Sequence, residues 1–257
     1  MKLIKVFLEN LEKSNISYVH WKSNTNIKLA LSGIDDLDIL VDPNNERELN
    51  DVFKKLKFVR AYSEKDSWQD GITHFLGLDI DSQKLVHVHL HYKLALGYDY
   101  DKCFKLPIVD LYLENRTKYE GKVYLPSYEN EYCILVIRLI LKNALTPFLL
   151  KLPHKQYSLL KRAKENGVIK DAGYTEFLDL KDKIDKVKLN RTLETTFSFL
   201  SKELFEFCIS VLENNNNVIA YFKAGSKLKK ELVNFRDYGE IISFSKAFER
   251  LYSIRFY

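Results

Sequence analysis

The chain has 257 residues, 46% of them hydrophobic and 29% charged, which describes an ordinary soluble globular protein with room for one large domain or two modest ones. No run approaches the roughly 20 apolar residues of a membrane span. The net charge of +5, from 40 basic and 35 acidic residues, suits phosphate-bearing ligands but is too mild to point to nucleic acid as a partner.

Leu3, Ile4, Phe7, Leu8 and Leu11 recur at helical spacing, so the chain opens on an amphipathic helix. Glu9 and Glu12 interrupt it and no small-residue cleavage site follows, which argues against a signal peptide. Residues 18–22 are short and β-rich, and residues 27–31 make a helical turn or two ending at Gly33. Residues 37–41 alternate as a strand that stops at Asp42-Pro43-Asn44-Asn45. A helix over 46–56 follows, with Leu49, Val52, Phe53 and Leu56 on one face. Residues 73–80 and 85–92 flank the turn-forming Asp81-Ser82-Gln83-Lys84, which predicts a β-hairpin.

Near Leu125-Pro126 the patterning turns helical, over 128–143, 155–166, 175–188 and 192–212. A polar break over 213–217 precedes a strand-like run, Val218-Ile219-Ala220-Tyr221-Phe222, and then helix. The expected class is therefore α+β: a small mixed sheet flanked by helices over 1–125, then a mainly α-helical domain over 126–257. Cys103, Cys133 and Cys208 are odd in number, far apart and among apolar neighbours, which predicts reduced core thiols and a cytoplasmic protein.

Chemistry concentrates in two places. Residues two apart in a strand share a face, so Asp36-Leu37-Asp38 presents two carboxylates side by side. Such a pair repels unless a cation sits with it, and hard cations such as Mg2+ or Mn2+ take oxygen ligands and bridge phosphates. Alone, Asp-x-Asp reads more readily as a solvated turn after Gly33. The second place is His87, His89 and His91, which alternate and project from one strand face while Val86, Val88 and Leu90 project from the other. They could be half-buried, hydrogen-bonded structural histidines, but three on one face of a strand expected to adjoin the two aspartates favour a functional reading.

The order Trp21-Lys22-Ser23, short helix, then Asp36-Leu37-Asp38 resembles the polymerase-β-like nucleotidyltransferase superfamily. Trp21-Lys22-Ser23, the segment Gly33 to Val41, and His87-Val88-His89-Leu90-His91-Tyr92 with Leu94 and Gly97 resemble one bacterial group more closely. So do Lys105-Leu106-Pro107 and Tyr128 to Glu131 with Arg138 and Lys142. That group comprises nucleotidyltransferase-like domains often fused to a thymidylate-kinase-like domain and associated with surface-polysaccharide gene clusters. The resemblance spans roughly residues 15–145. It implies a nucleotidyltransferase fold and transfer of a nucleotidyl group from a nucleoside triphosphate to a hydroxyl or phosphate acceptor, a sugar being the acceptor that the association suggests.

It further implies that Asp36, Asp38 and His89 are catalytic and hold the metal, Mg2+ or Mn2+, and that Lys22, Ser23, His87, His91 and Arg138 bind substrate. Two departures qualify it. Lys22-Ser23 stands where the superfamily has a Gly-Ser or Gly-Gly turn, and no third carboxylate occupies the histidine strand. His89 is the expected replacement as ligand or base. Asp79 and Asp81 are outside candidates for the missing acid. His20 shares the face of Lys22 but reads more readily as a core residue; His74 and His154 carry no assignment. Arg138, in an apolar helix, needs either Glu131 or a bound phosphate. Val218 to Lys227 lacks the glycines and Gly-Lys-Ser/Thr ending of a phosphate-binding loop. Two competing readings follow from the same residues: a zinc-dependent hydrolase built on the histidine strand, and a non-catalytic nucleotide-binding partner subunit.

Overall fold

The computed structural model of the chain describes residues 1–62, 71–98, 101–144, 168–169 and 172–236. They form a mixed α+β structure. The elements begin α1 (Lys2–Lys13), β1 (Tyr18–His20), α2 (Ile27–Leu31), β2 (Leu37–Val41), α3 (Glu46–Lys55) and β3 (Val59–Ala61). Next come β4 (Ile72–Asp79), β5 (Lys84–His91), β6 (Leu94–Tyr98), β7 (Asp101–Leu106), α4 (Val109–Glu114), β8 (Arg116–Tyr119) and β9 (Val123–Pro126). Five helices end the described chain: α5 (Tyr128–Asn143), α6 (Ala172–Lys181), α7 (Lys186–Thr195), α8 (Lys202–Glu213) and α9 (Val218–Glu231).

The main sheet has the order β1-β2-β5-β4-β3. Only β2 and β5 run parallel; the other neighbours are antiparallel. Its two faces differ because alternate residues differ. Leu37, Ile39, Val41, Val86, Val88 and Leu90 face a core with Ile4, Phe7, Leu8 and Leu11 of α1 and Leu49, Val52 and Phe53 of α3. Phe53 stacks flat on Phe75, 3.8 Å between centroids. The opposite face carries Asp38, His87, His89 and His91, and then Leu40, which joins Val19, Trp21 and the apolar residues of the helical half in a second core.

That second core is organised by α5. Ser127 caps it by accepting the Asn130 N–H at 3.2 Å. Buried residues then run around almost its whole circumference, because β6, α6, α7, α8 and α9 all pack on it. The expected hairpin forms with its turn at Asp81-Ser82-Gln83, and the three cysteines are buried thiols outside any disulfide.

Three expectations change. Val218–Glu231 is a helix, not a strand: Asn217 caps it, and Val218, Tyr221, Ala224, Gly225 and Leu228 form its buried stripe. The helix expected over 175–188 breaks at 182–185, where Asp185 accepts the Val187 and Lys188 N–H groups and starts α7. The helix expected over 192–212 breaks before Ser201, whose N–H and hydroxyl both donate to Glu231. The helix expected over 155–166 and His154 lie outside the described residues. No helix among the described residues is long and apolar enough to cross a membrane.

Candidate metal and anion site

The strand registers assemble the site. In the parallel β2–β5 ladder Asp38 lies opposite His89, and in the β4–β5 hairpin His74 lies opposite His89. Three adjacent strands thus contribute one side chain each to a row, and the neighbouring row brings Asp36 to His87. The two aspartates, expected to share one metal, are divided between two histidines.

Asp36 is half-exposed, and its Oδ1 lies 2.7 Å from His87 Nδ1. His74 Nδ1 lies 3.0 Å from His87 Nε2. A carboxylate only accepts, so His87 donates through Nδ1 and meets His74 through Nε2. Burial, then the neighbouring His89 and His87, pushes His74 down to about 4. His74 also stacks on His89, centroids 4.4 Å apart.

Asp38 is buried. Three cationic or potentially cationic groups converge on its Oδ1: Lys22 Nζ at 2.6 Å, His89 Nδ1 at 3.0 Å and His91 Nε2 at 3.7 Å. Burial pushes the Asp38 carboxyl up, but His89, His91 and the Lys22 ammonium outweigh it and hold the group well below the ordinary carboxylate range. Burial also lowers His89, and lowers His91 to about 3 despite the nearby carboxylate.

Asp38 Oδ1 and both ring nitrogens of His91 are buried with no hydrogen-bond partner. A buried polar atom left so is costly, and a cation among Asp38, His89 and His91 would satisfy all three groups. Among the described residues these three form the group of donors close enough to hold one ion, within 4.8 Å of one another. The donor set expected from sequence, Asp36, Asp38 and His89, thus shares two members with the observed one; His91 takes the place of Asp36.

Beyond Lys22 opens a cleft of about 320 Å³, lined by Lys22, Ser23, Lys102, Arg138, Lys142 and Glu176 among others. Its described lining carries four basic residues and one carboxylate, with Lys22 paired to Asp38 and Arg138 to Glu176. Asp38 does not line it; Lys22 joins the two by contacting Asp38 while bordering the cleft. Ser23 adopts the left-handed conformation glycine favours, φ +59°. Its backbone N–H stabilises the Glu176 carboxylate, and the next N–H, of Asn24, donates to Glu131 Oε1 at 3.2 Å. Both N–H groups of this turn therefore face carboxyl groups.

Arg138 pairs with Glu176, Nη2 to Oε2 at 3.0 Å, and not with Glu131 as the helix spacing suggested. The two-turn separation within α5 leaves Glu131 facing the Ser23–Asn24 turn, while α6 supplies the nearer carboxylate. His20 is buried, with Nδ1 2.6 Å from Asn24 Oδ1. Asp79 is remote from the chemistry: it accepts the Lys2 and Leu3 N–H groups at the start of α1, and Asp81 pairs with Lys2. His74, Lys102 and Glu176 were not singled out from sequence. For His74 the signal was available, since a turn joining Asp79 to Lys84 carries the register down to His74 opposite His89. No protein-family model, curated protein or solved structure matches the chain.

Proposed function

We propose that the protein is a metal-dependent nucleotidyltransferase, transferring a nucleotidyl group from a nucleoside triphosphate to a small acceptor such as a sugar hydroxyl or phosphate. The observation that carries this reading is the junction of a carboxylate–histidine cluster with a basic cleft through one residue, Lys22, 2.6 Å from Asp38 and on the cleft wall. The resemblance of Trp21-Lys22-Ser23 and Asp36-Leu37-Asp38 to the polymerase-β-like superfamily supports the same reaction, by analogy of motif.

Lys22, Lys102, Arg138 and Lys142 line the cleft that receives the triphosphate, and Ser23 offers a hydroxyl at its edge. Asp38, His89 and His91 would hold a divalent cation, which would supply charge neutralisation for the phosphates. The acceptor oxygen attacks the α-phosphorus, the bond to the bridging oxygen breaks, and pyrophosphate leaves. Asp36 is the carboxylate placed to take the acceptor's proton: it is half-exposed, with one oxygen held by His87 Nδ1 at 2.7 Å.

Pyrophosphate release from each of the four nucleoside triphosphates, screened against sugars and sugar phosphates with Mg2+, Mn2+ and Zn2+, tests the proposal. Turnover that falls at least about 100-fold in Asp38→Asn is expected. Equal signal from that variant, or no release with any combination, overturns it. The imidazole-rich donor set favours zinc hydrolysis as a second reading; nucleotide cleavage as fast without acceptor as with it identifies that case.

A further inference from the structure

We propose that Asp38, His89 and His91 form a site selective for a first-row transition metal ion over magnesium, and that the Lys22 ammonium is its built-in competitor. The site needs no nucleotide and is argued apart from the transfer reaction.

Geometry supplies the first argument. Ligands on a tetrahedral ion with bonds of about 2.0–2.1 Å stand about 3.4 Å from one another. Asp38 Oδ1 lies 3.0 Å from His89 Nδ1 and 3.7 Å from His91 Nε2, on either side of that spacing. The backbone fixes the arrangement: Asp38 and His89 are ladder partners, and His91 follows two residues on along the same face. The rings are held from outside, His89 by stacking on His74 and His91 by the edge of Trp21, 4.9 Å between centroids.

His91 supplies the second, independent argument. It is 1% exposed, and neither nitrogen has a hydrogen-bond partner. A core histidine with a purely structural role is expected to use at least one nitrogen in a hydrogen bond. His20, equally buried on the neighbouring strand, does so through Asn24. His91 instead directs Nε2 at Asp38 from beyond hydrogen-bonding range.

The donor chemistry decides which metal. Two imidazole nitrogens and one carboxylate oxygen suit zinc, cobalt, iron or manganese, whereas magnesium demands near-octahedral oxygen ligands. Splitting Asp36 away to His87 removes the second carboxylate that a magnesium site would use. Lys22 meets the same Asp38 oxygen that the ion needs. An ammonium and a dication repel at that distance, so ion binding expels Lys22 toward the cleft it already borders.

The test uses the full chain, treated with chelator and without nucleotide. Co2+ is followed by its visible absorption and Zn2+ by competition with a chromophoric chelator. One equivalent is expected to bind at the cluster, undisturbed by a large excess of Mg2+. Lys22→Met is expected to bind Zn2+ on the order of 10-fold more tightly. His89→Gln and His91→Gln are expected to lose on the order of 100-fold or more, while Asp36→Asn stays close to wild type. If His91→Gln fails to fold, as judged by circular dichroism, Lys22→Met and His89→Gln decide. Binding by Lys22→Met alone still supports the site. No Co2+ or Zn2+ bound by either wild type or Lys22→Met overturns it, as does displacement by equimolar Mg2+ or an Asp36→Asn loss as large as that of His89→Gln. Metal binding without pyrophosphate release would retain this site while removing the transferase reading.

Discussion

Two buried carboxylates in this protein have opposite fates. Asp38 is held ionised because an ammonium and two imidazoles face it. Glu131 is pushed up to about 8 by burial, with Glu176 nearby adding to the effect and the Asn24 amide only partly opposing it. A carboxyl raised this far is protonated in the fold at neutral pH, whereas in the unfolded chain it ionises near its ordinary 4.5. Folded stability attributable to Glu131 therefore falls as pH rises from about 4.5 through 8 and is level beyond. Glu131→Gln keeps a neutral acceptor for the Asn24 N–H and abolishes the titration. Its melting temperature should drop less than that of wild type between pH 5 and pH 8.5, by thermal unfolding followed with circular dichroism. Parallel melting curves across that range would show that Glu131 does not titrate as described.

At the scale of elements, α5 and the β4–β5 hairpin do most of the positioning. The hairpin sets the histidine row through its register, so a slip of one residue would turn every histidine to the opposite face. Helix α5 supplies Arg138 and Glu131, and its packing depends on close approach. A Cβ at Gly225 of α9 would stand 2.1 Å from the Cβ of Ala144, just past the end of α5. Gly225→Ala gains helix propensity in an isolated helix but here forces α9 off α5. A net destabilisation of about 1–3 kcal/mol by urea denaturation is expected. A more stable variant would mean that the helices do not meet so closely.

For the whole molecule, the significant fact is which residues share a core. Val19, Trp21 and Leu40 of the sheet lie in one buried cluster with residues from α5, α6, α7, α8 and α9. Tyr112 of α4 donates to the Trp21 carbonyl at 3.1 Å inside it. Sheet and helices should therefore unfold together. Helical circular dichroism at 222 nm and near-ultraviolet tertiary signal are expected to give coincident urea transitions; two separated transitions would show that the helical half folds independently.

Local pattern determined much of this protein. The α+β class, the opening helix, the Asp-x-Asp strand, the hairpin and the shared face of His87, His89 and His91 follow from periods of 3.6 and 2 and from turn residues. Asp38 and His89 sit on strand faces readable from that pattern, whereas the resemblance to the superfamily is what singled them out together with Lys22. Short strands and helix breaks were harder, because Val218 to Phe222 carries β-favouring residues while its capping by Asn217 and its packing against α5 make it helix. Only the tertiary structure decided the pairings. Parallel alignment of β2 with β5 gave Asp38 to His89 and Asp36 to His87, and α6 brought Glu176 to Arg138. Strand register between distant segments and helix docking are set by the whole core, so no local window contains them. The aspartate pair, a single feature in the sequence, is in the fold two half-sites with different partners.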